Sequence, residues 1–354
     1  MSVVWLPESP EDTQGLPPLV RAFDAVPYGV VVLSSDHRIA WCNAAAAIHL
    51  DLDPNRDRGQ PLTNLARFPA LVEALTGQGP QDLQVCVAGS DAVLSLQLRP
   101  LAPGQVLLLT QDVTEAERMD TMRKDFVAHV SHEIRTPLTV LSGFVETLQS
   151  IRLEDDEQDR IFELMRQQTQ RIERLVADLL TLARLEANPK PRIDHWTPLR
   201  HLMHAAHDDG FHLSAGRHQV VLAAVPEVEV AADENDMLSA VSNLVSNAIR
   251  YTPEGGHIEL RARHREDGYL EIAVQDNGIG IERQHLPRIT QRFYRVDKSR
   301  SRETGGTGLG LSIVKHAISR HGGELLVDSR PQQGSTFTLT LPPARVRVIA
   351  PSSG

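Results

Sequence analysis

The chain has 354 residues, 41% of them hydrophobic and only 4% aromatic, with a formal net charge of −10. That length suits two or three domains with aliphatic cores, and the acidic balance argues against a nucleic-acid binder, which shows a basic excess or stripe. The 2 cysteines, Cys42 and Cys86, lie in unrelated contexts, which fits a reducing compartment and excludes a disulfide framework.

Residues 1–16 are rich in Pro and acid and read as a disordered start. They carry neither the basic nor the long apolar region of a signal peptide. Residues 17–114 read as a small α/β domain. Here "GVVVLSSDHRIAWCN" predicts strand, turn, strand, while "AVLSLQLRPL" and "GQVLLLTQDVT" predict a second hairpin. Between them "LTNLARFPALVEALTGQG" predicts short helices. The longest apolar runs fall far short of the about 20 residues that a membrane-spanning helix needs, so the chain reads as cytoplasmic.

Over residues 115–187 the period becomes helical. With His132 at zero on a wheel advancing about 100° per residue, Val127, Val130, Ile134, Leu138, Leu141, Val145 and Leu148 fall on the opposite side as one apolar stripe. The acidic "LEDDEQD" interrupts it. A second helix follows with a seam of Ile161, Met165, Gln168, Ile172, Leu175, Leu179 and Leu182. One such hairpin covers its own stripes poorly, so two copies are expected to pair as a homodimeric four-helix bundle. Residues 188–197, "NPKPRIDHWT", form a Pro-rich linker. Residues 198–343 read as an α/β domain, and residues 344–354 as a loose tail.

The histidine of greatest interest is His132, because the stripe opposite it turns its side chain to solvent in mid-helix. Glu133 can accept the imidazole Nδ1 proton and leave Nε2 as an oriented nucleophile. Thr136 lies one turn on, where its hydroxyl can hold a water or a phosphoryl oxygen. Pro137 removes the amide that would bond the Glu133 carbonyl. His129 reads as a solvated bystander. A further run, His201, His204, His207 and His212, has near-helical spacing but no cysteine beside it, and reads as surface rather than metal site.

A second constellation lies downstream. Asn243 and Asn247 share a helical face, and their amide oxygens suit Mg²⁺. Arg250 and Tyr251, one turn further, can reach phosphates. In "VQDNGIGI", Asp276 offers an acceptor-only carboxylate for the adenine amino group, and Gly278 and Gly280 let the chain pass close to the base. In "GGTGLGLSIVKHAI" the glycines, Gly306, Gly308 and Gly310 among them, open a helix whose free amides suit a triphosphate. A Walker-type phosphate loop is absent.

In order and spacing these segments resemble the sensor histidine kinases of two-component systems. "FVAHVSHEIRTPLTVLSGFVETL" looks like their H-box, "NLVSNAIRYT" the N-box, "DNGIGI" the G1 box, "RFYRVD" the F-box and "GGTGLGL" the G2 box. The N-terminal domain resembles a PAS sensor domain, with an exit "QDVTEAERMD", and looks most like that of the phosphate-regulon sensor kinases. The resemblance implies a multidomain α+β chain: a PAS-like domain, a helical-hairpin dimerisation domain forming a four-helix bundle, and an α/β-sandwich, Bergerat-type, ATP-binding domain. It implies ATP and Mg²⁺ as cofactors, His132 as phospho-acceptor and Asn247 as the main Mg²⁺ ligand. It adds Thr307 and Leu309 to the glycines that line the phosphates, and makes "RVDKSRSRETGG", with Lys298, Arg300 and Arg302, the lid.

The implied activity is ATP-dependent autophosphorylation of His132, then transfer to an aspartate of a response regulator's receiver domain, in phosphate-regulon signalling. Within H-E-x-x-T, Glu133 would serve phosphorylation and Thr136 dephosphorylation of the regulator. Relatives sit in the inner membrane, and a partner would supply any indirect membrane association here. A related GHKL ATPase would lack the H-box; a non-catalytic sensory scaffold would lack intact nucleotide boxes.

Overall fold

The computed structural model describes residues 23–24, 26–296 and 306–349. The expected disordered start, the lid cations Lys298, Arg300 and Arg302, and the last five residues lie outside them. The chain divides into two compact units at Val127, inside a long helix.

The first unit is built on β1 (Gly29–Leu33), β2 (Ile39–Cys42), β3 (Asp82–Cys86), β4 (Val93–Ala102) and β5 (Gln105–Asp112), in the order β2-β1-β5-β4-β3. All neighbours run antiparallel. Alternation sends Leu94, Leu96 and Leu98 of β4 inward. Three short helices, α1 (Ala44–Leu50), α2 (Leu62–Leu65) and α3 (Pro69–Leu75), connect β2 to β3, and Ala46, Leu50, Leu62 and Leu71 fill the same core. Asn43 caps α1 through the Ala46 amide, and its carboxamide also accepts from Val30 and donates to the Tyr28 carbonyl. The edge strand β3 was not expected from the sequence; only Leu83 and Val85 of it are buried, too short an alternation to stand out. At the exit, Asp112 accepts from the Thr114 amide at 2.9 Å and from its hydroxyl, while that hydroxyl accepts from the Val93 amide. The motif therefore ties β4 and β5 to the start of α4 (Thr114–Ser150).

In the second unit α4 is followed by α5 (Asp155–Ala187), which opens on a reciprocal capping box between Glu154 and Glu157. The seam of α5 is half-buried or buried along its length, with Leu175, Leu182 and Leu185 enclosed. Leu138, Val145 and Leu180 remain 49%, 42% and 67% exposed in the single chain.

The rest forms a sandwich. Its sheet is β11 (Glu324–Arg330), β12 (Gly334–Leu341), β10 (Leu270–Asp276), β9 (His257–His264) and β7 (Gln219–Leu222), antiparallel except for the parallel β7–β9 pair. Ile258, Leu260, Ile272, Val274 and Leu339 point to one face. Against it lie α6 (Leu199–Ser214), α7 (Glu234–Tyr251) and α8 (Gly310–Arg320). A second sheet corrects two expectations. Its strands β6 (Trp196–Pro198), β8 (Val228–Ala231) and β13 (Val346–Val348) include residues expected as linker and as loose tail. Arg345 is buried there, and its guanidinium donates to the carbonyls of Ala231 and Pro191, drawing tail and linker onto the sandwich. Three-residue strands leave no periodic signal, and the contacts that stabilise them are non-local.

Candidate functional site

The apolar side of α7 (Met237, Ala240, Val241, Leu244, Val245 and Ala248) is buried. That orients the other side, Asn243, Asn247 and Arg250, into a cavity of about 580 Å³. Tyr251, Asp276, Gly280, Gly306, Thr307, Gly308 and Gly310 line the same cavity. Ten of the twelve nucleotide residues expected from sequence therefore converge on one space. Asp276 ends β10 and is 7% exposed. Burial pushes its carboxyl above the usual carboxylate range, against amide hydrogen bonds from Gly278 and Ser335 that favour ionisation.

Gly278 and Leu309 take other places. A Cβ on Gly278 would lie 2.4 Å from the Tyr251 carbonyl, so this glycine permits the loop to pack on the end of α7. Leu309 is fully buried, immediately before α8. Gly308 has φ +74°, and its carbonyl accepts from Phe293, which fixes the turn before α8. Gly310 leaves room for the Asn243 amide, since a Cβ would fall 2.6 Å from its Oδ1.

The hairpin supplies part of the wall. Arg174 and Asp178 of α5 line the cavity, and Thr307 Oγ1 donates to Asp178 Oδ2 at 2.6 Å. Burial raises the Asp178 carboxyl; the Thr307 bond and the charges of Arg250 and Arg174 oppose that. Burial likewise lowers the Arg250 guanidinium. Sequence reasoning missed Arg174 and Asp178. Their one signal was charge beside an otherwise apolar seam. It also left Tyr294 and Arg295 of the quoted "RFYRVD" without a role, and both line the cavity.

His132 stands on α4 with its side chain 72% exposed. Its Nδ1 is 4.0 Å from Glu133 Oε1, longer than a hydrogen bond. Glu133 Oε2 instead accepts from Arg171 at 2.8 Å and lies 3.9 Å from Arg295. The Thr136 hydroxyl donates to the His132 carbonyl at 3.1 Å. His129 is exposed, as expected, and its ring also stacks on Phe293, with centroids 5.5 Å apart and planes 20° apart. The wheel shows which side of α4 a residue occupies, but not that Phe293 comes from another domain to stack on it. Of the histidine run on α6, His207 stacks on Phe211 at 6.4 Å.

Three family models match the chain. Residues 23–118 match the PAS fold, residues 122–188 the His Kinase A (phospho-acceptor) domain, and residues 232–345 the histidine kinase-, DNA gyrase B- and HSP90-like ATPase. The phosphate regulon sensor protein PhoR of Pseudomonas aeruginosa is 43% identical over 321 residues, 90% of this chain and 72% of that protein. The sensor-like histidine kinase SenX3 of Mycolicibacterium smegmatis is 35% identical, over 89% of this chain and 83% of the relative. Among solved structures, the histidine kinase ThkA, in complex with the response regulator TrrA, has a TM-score of 0.48 and 20% identity, covering 89% of this chain and 95% of that one.

Proposed function

The chain belongs to the sensor histidine kinases, and on that premise we propose that ATP held in the α7–α8 cavity phosphorylates His132. The carrying observation is the pairing of an exposed histidine on α4 with a nucleotide cavity whose wall includes residues of the same hairpin, Arg174 and Asp178. Protein-histidine kinase activity and ATP binding follow from the family; the residue assignments are ours.

Asp276, enclosed and acceptor-only, would take the adenine amino group, where guanine would present an oxygen. Arg250 and the glycine turn before α8 would face the phosphates. Asn247, with Asn243 beside it, would hold Mg²⁺; amide oxygens on one helix face fit a hard cation that also keeps water and phosphate oxygens. Bound there, the ion supplies charge neutralisation to the phosphates. Glu133 would hold the Nδ1 proton so that Nε2 attacks. Thr136 would place a water against the aspartyl-phosphate of a docked receiver domain, once its hydroxyl leaves the His132 carbonyl.

The apolar residues left open on α4 and α5 support a homodimer through residues 115–187. The identity to PhoR supports a place in phosphate-regulon signalling. Dependence on ATP and on a receiver domain supports a cytoplasmic place for the second unit. A GHKL ATPase of another kind would have no use for the hairpin, and the phospho-acceptor match over 122–188 favours the kinase.

The test is labelling from γ-labelled ATP. His132→Ala is expected to abolish it, while His129→Ala, which only loses a stacking partner, retains it. Labelled His132→Ala beside unlabelled His129→Ala would overturn the assignment. Phosphotransfer profiling against purified receiver domains of the host tests the partner. A kinetic preference for a regulator outside phosphate control would refute the signalling assignment alone.

A further inference from the structure

Glu133 adjoins the acceptor in sequence, yet its firmest partner lies on the other helix of the hairpin. Arg171 Nη2 donates to Glu133 Oε2 at 2.8 Å, and the two side chains are only 14% and 23% exposed. Arg295 approaches that same oxygen. The other oxygen, Oε1, is the one that faces His132 Nδ1. The carboxylate is thus divided, with one oxygen held by guanidinium and one turned to imidazole. A glutamate alone on a helix surface would sample many rotamers; a charge-assisted bond to a half-buried arginine fixes one. The His132 ring is the exposed partner, and a movement of about 1 Å would bring Nδ1 into hydrogen-bond range.

We infer that Arg171 is a positioning residue for phosphorylation of His132: by holding Glu133 Oε2 it turns Oε1 toward Nδ1. The inference rests on the roles proposed above for His132 and Glu133. In the step served, the Nε2 lone pair forms the N–P bond as the bond from the γ-phosphorus to the β,γ-bridging oxygen breaks. The electron pair leaves with ADP. The Nδ1 proton stays on the ring, shared with Oε1, which balances the positive charge the imidazole acquires. Arg171 also offsets the carboxylate's charge as the anionic phosphoryl group approaches. Arg171 is not among the residues that line the nucleotide cavity, so its effect belongs on the rate of the step and not on ATP affinity.

The experiment is a double-mutant cycle on the full chain. Autophosphorylation is timed across ATP concentrations for Arg171→Ala, Arg171→Lys, Glu133→Gln and the Arg171→Ala/Glu133→Gln pair, with thermal melts and light scattering as checks of fold and dimer. Arg171→Ala is expected to lower the maximal rate by about tenfold to a hundredfold and to leave half-saturating ATP unchanged. Arg171→Lys should recover part of the rate, since it keeps charge but not the fork. The double variant should be no slower than Glu133→Gln. Multiplying losses in the double variant, a change in half-saturating ATP alone, or faster labelling in Arg171→Ala would each overturn the inference; the last would make the pair a brake. If Arg171→Ala unfolds, the cycle is run with Arg171→Lys under the same criteria. A Glu133→Gln variant that labels at the wild-type rate removes the proposed role of Glu133 and this inference with it. A slow Glu133→Gln beside an unaffected Arg171→Ala removes this inference alone.

Discussion

The sandwich and the hairpin bury their apolar residues to different ends. In the sandwich Leu244, Ile258, Ile272, Ile313 and Leu339 are all 0% exposed; helix and sheet faces close on each other within one chain. In the hairpin none of the seven stripe residues of α4 is fully buried. The sandwich keeps its candidate nucleotide residues inside, in a cavity whose polar residues occupy the reverse side of a core helix. The hairpin keeps His132 outside, on the face opposite a stripe left partly exposed in the single chain. One region should therefore fail through loss of contacts to nucleotide, and the other through loss of assembly.

The largest effect is expected in the cavity. Asn247→Ala or Asp276→Ala should cut autophosphorylation by about a hundredfold or more, with an unchanged melting profile, because neither side chain belongs to the apolar core. Calorimetry showing normal ATP affinity together with normal labelling would break the cavity assignment. In the hairpin, Leu180→Glu places a charge where the partner helix should pack. It should weaken the dimer by about a hundredfold or more and leave ATP binding intact, since every residue that lines the cavity comes from one chain and Leu180 is not among them. Light scattering would read it, and a variant that stays dimeric at micromolar concentration would contradict the contrast.

Thr136→Ala sharpens the comparison within one helix turn. The hydroxyl now bonds the His132 carbonyl, an exposed bond worth little to stability, about 0.5 kcal/mol or less. Most autophosphorylation should remain, while stimulated dephosphorylation of the regulator falls by about tenfold or more. Equal loss of both activities would mean that Thr136 only supports the backbone before Pro137.

The smallest effect concerns Asp178, where hairpin and sandwich meet. Burial raises its folded-state value above the ordinary carboxylate range. Between those two values the folded chain binds the proton first, so acid favours the fold in that window. Above the raised value the ionised group weakens it. Asp178→Asn should therefore raise the melting temperature at neutral pH, by about 1 to 3 °C, and the gain should shrink as pH falls toward 4. A gain that does not change with pH would assign the effect to packing.

Long periodic segments were the legible part of this molecule. The helices of the hairpin and the polar face of α7 followed from spacing, two of the three short helices of the first unit fell in the stretch expected to hold them, and the family motifs brought ten cavity residues together. What escaped depends on partners distant in sequence. Phe293 stacks on His129, Asp178 reaches Thr307, and Arg345 binds the linker at Pro191. No local pattern encodes these pairings. Glu133 was legible as a neighbour of His132, but not as the partner of Arg171, 38 positions away.

The central claim is that the cavity serves His132. The direct measurement is to incubate the intact chain with γ-labelled ATP and Mg²⁺, digest it under alkaline conditions, and locate the label by mass spectrometry. The account predicts a single acid-labile, base-stable phosphoryl group on His132. An acid-stable label, or one on His129 or Ser131, would contradict it.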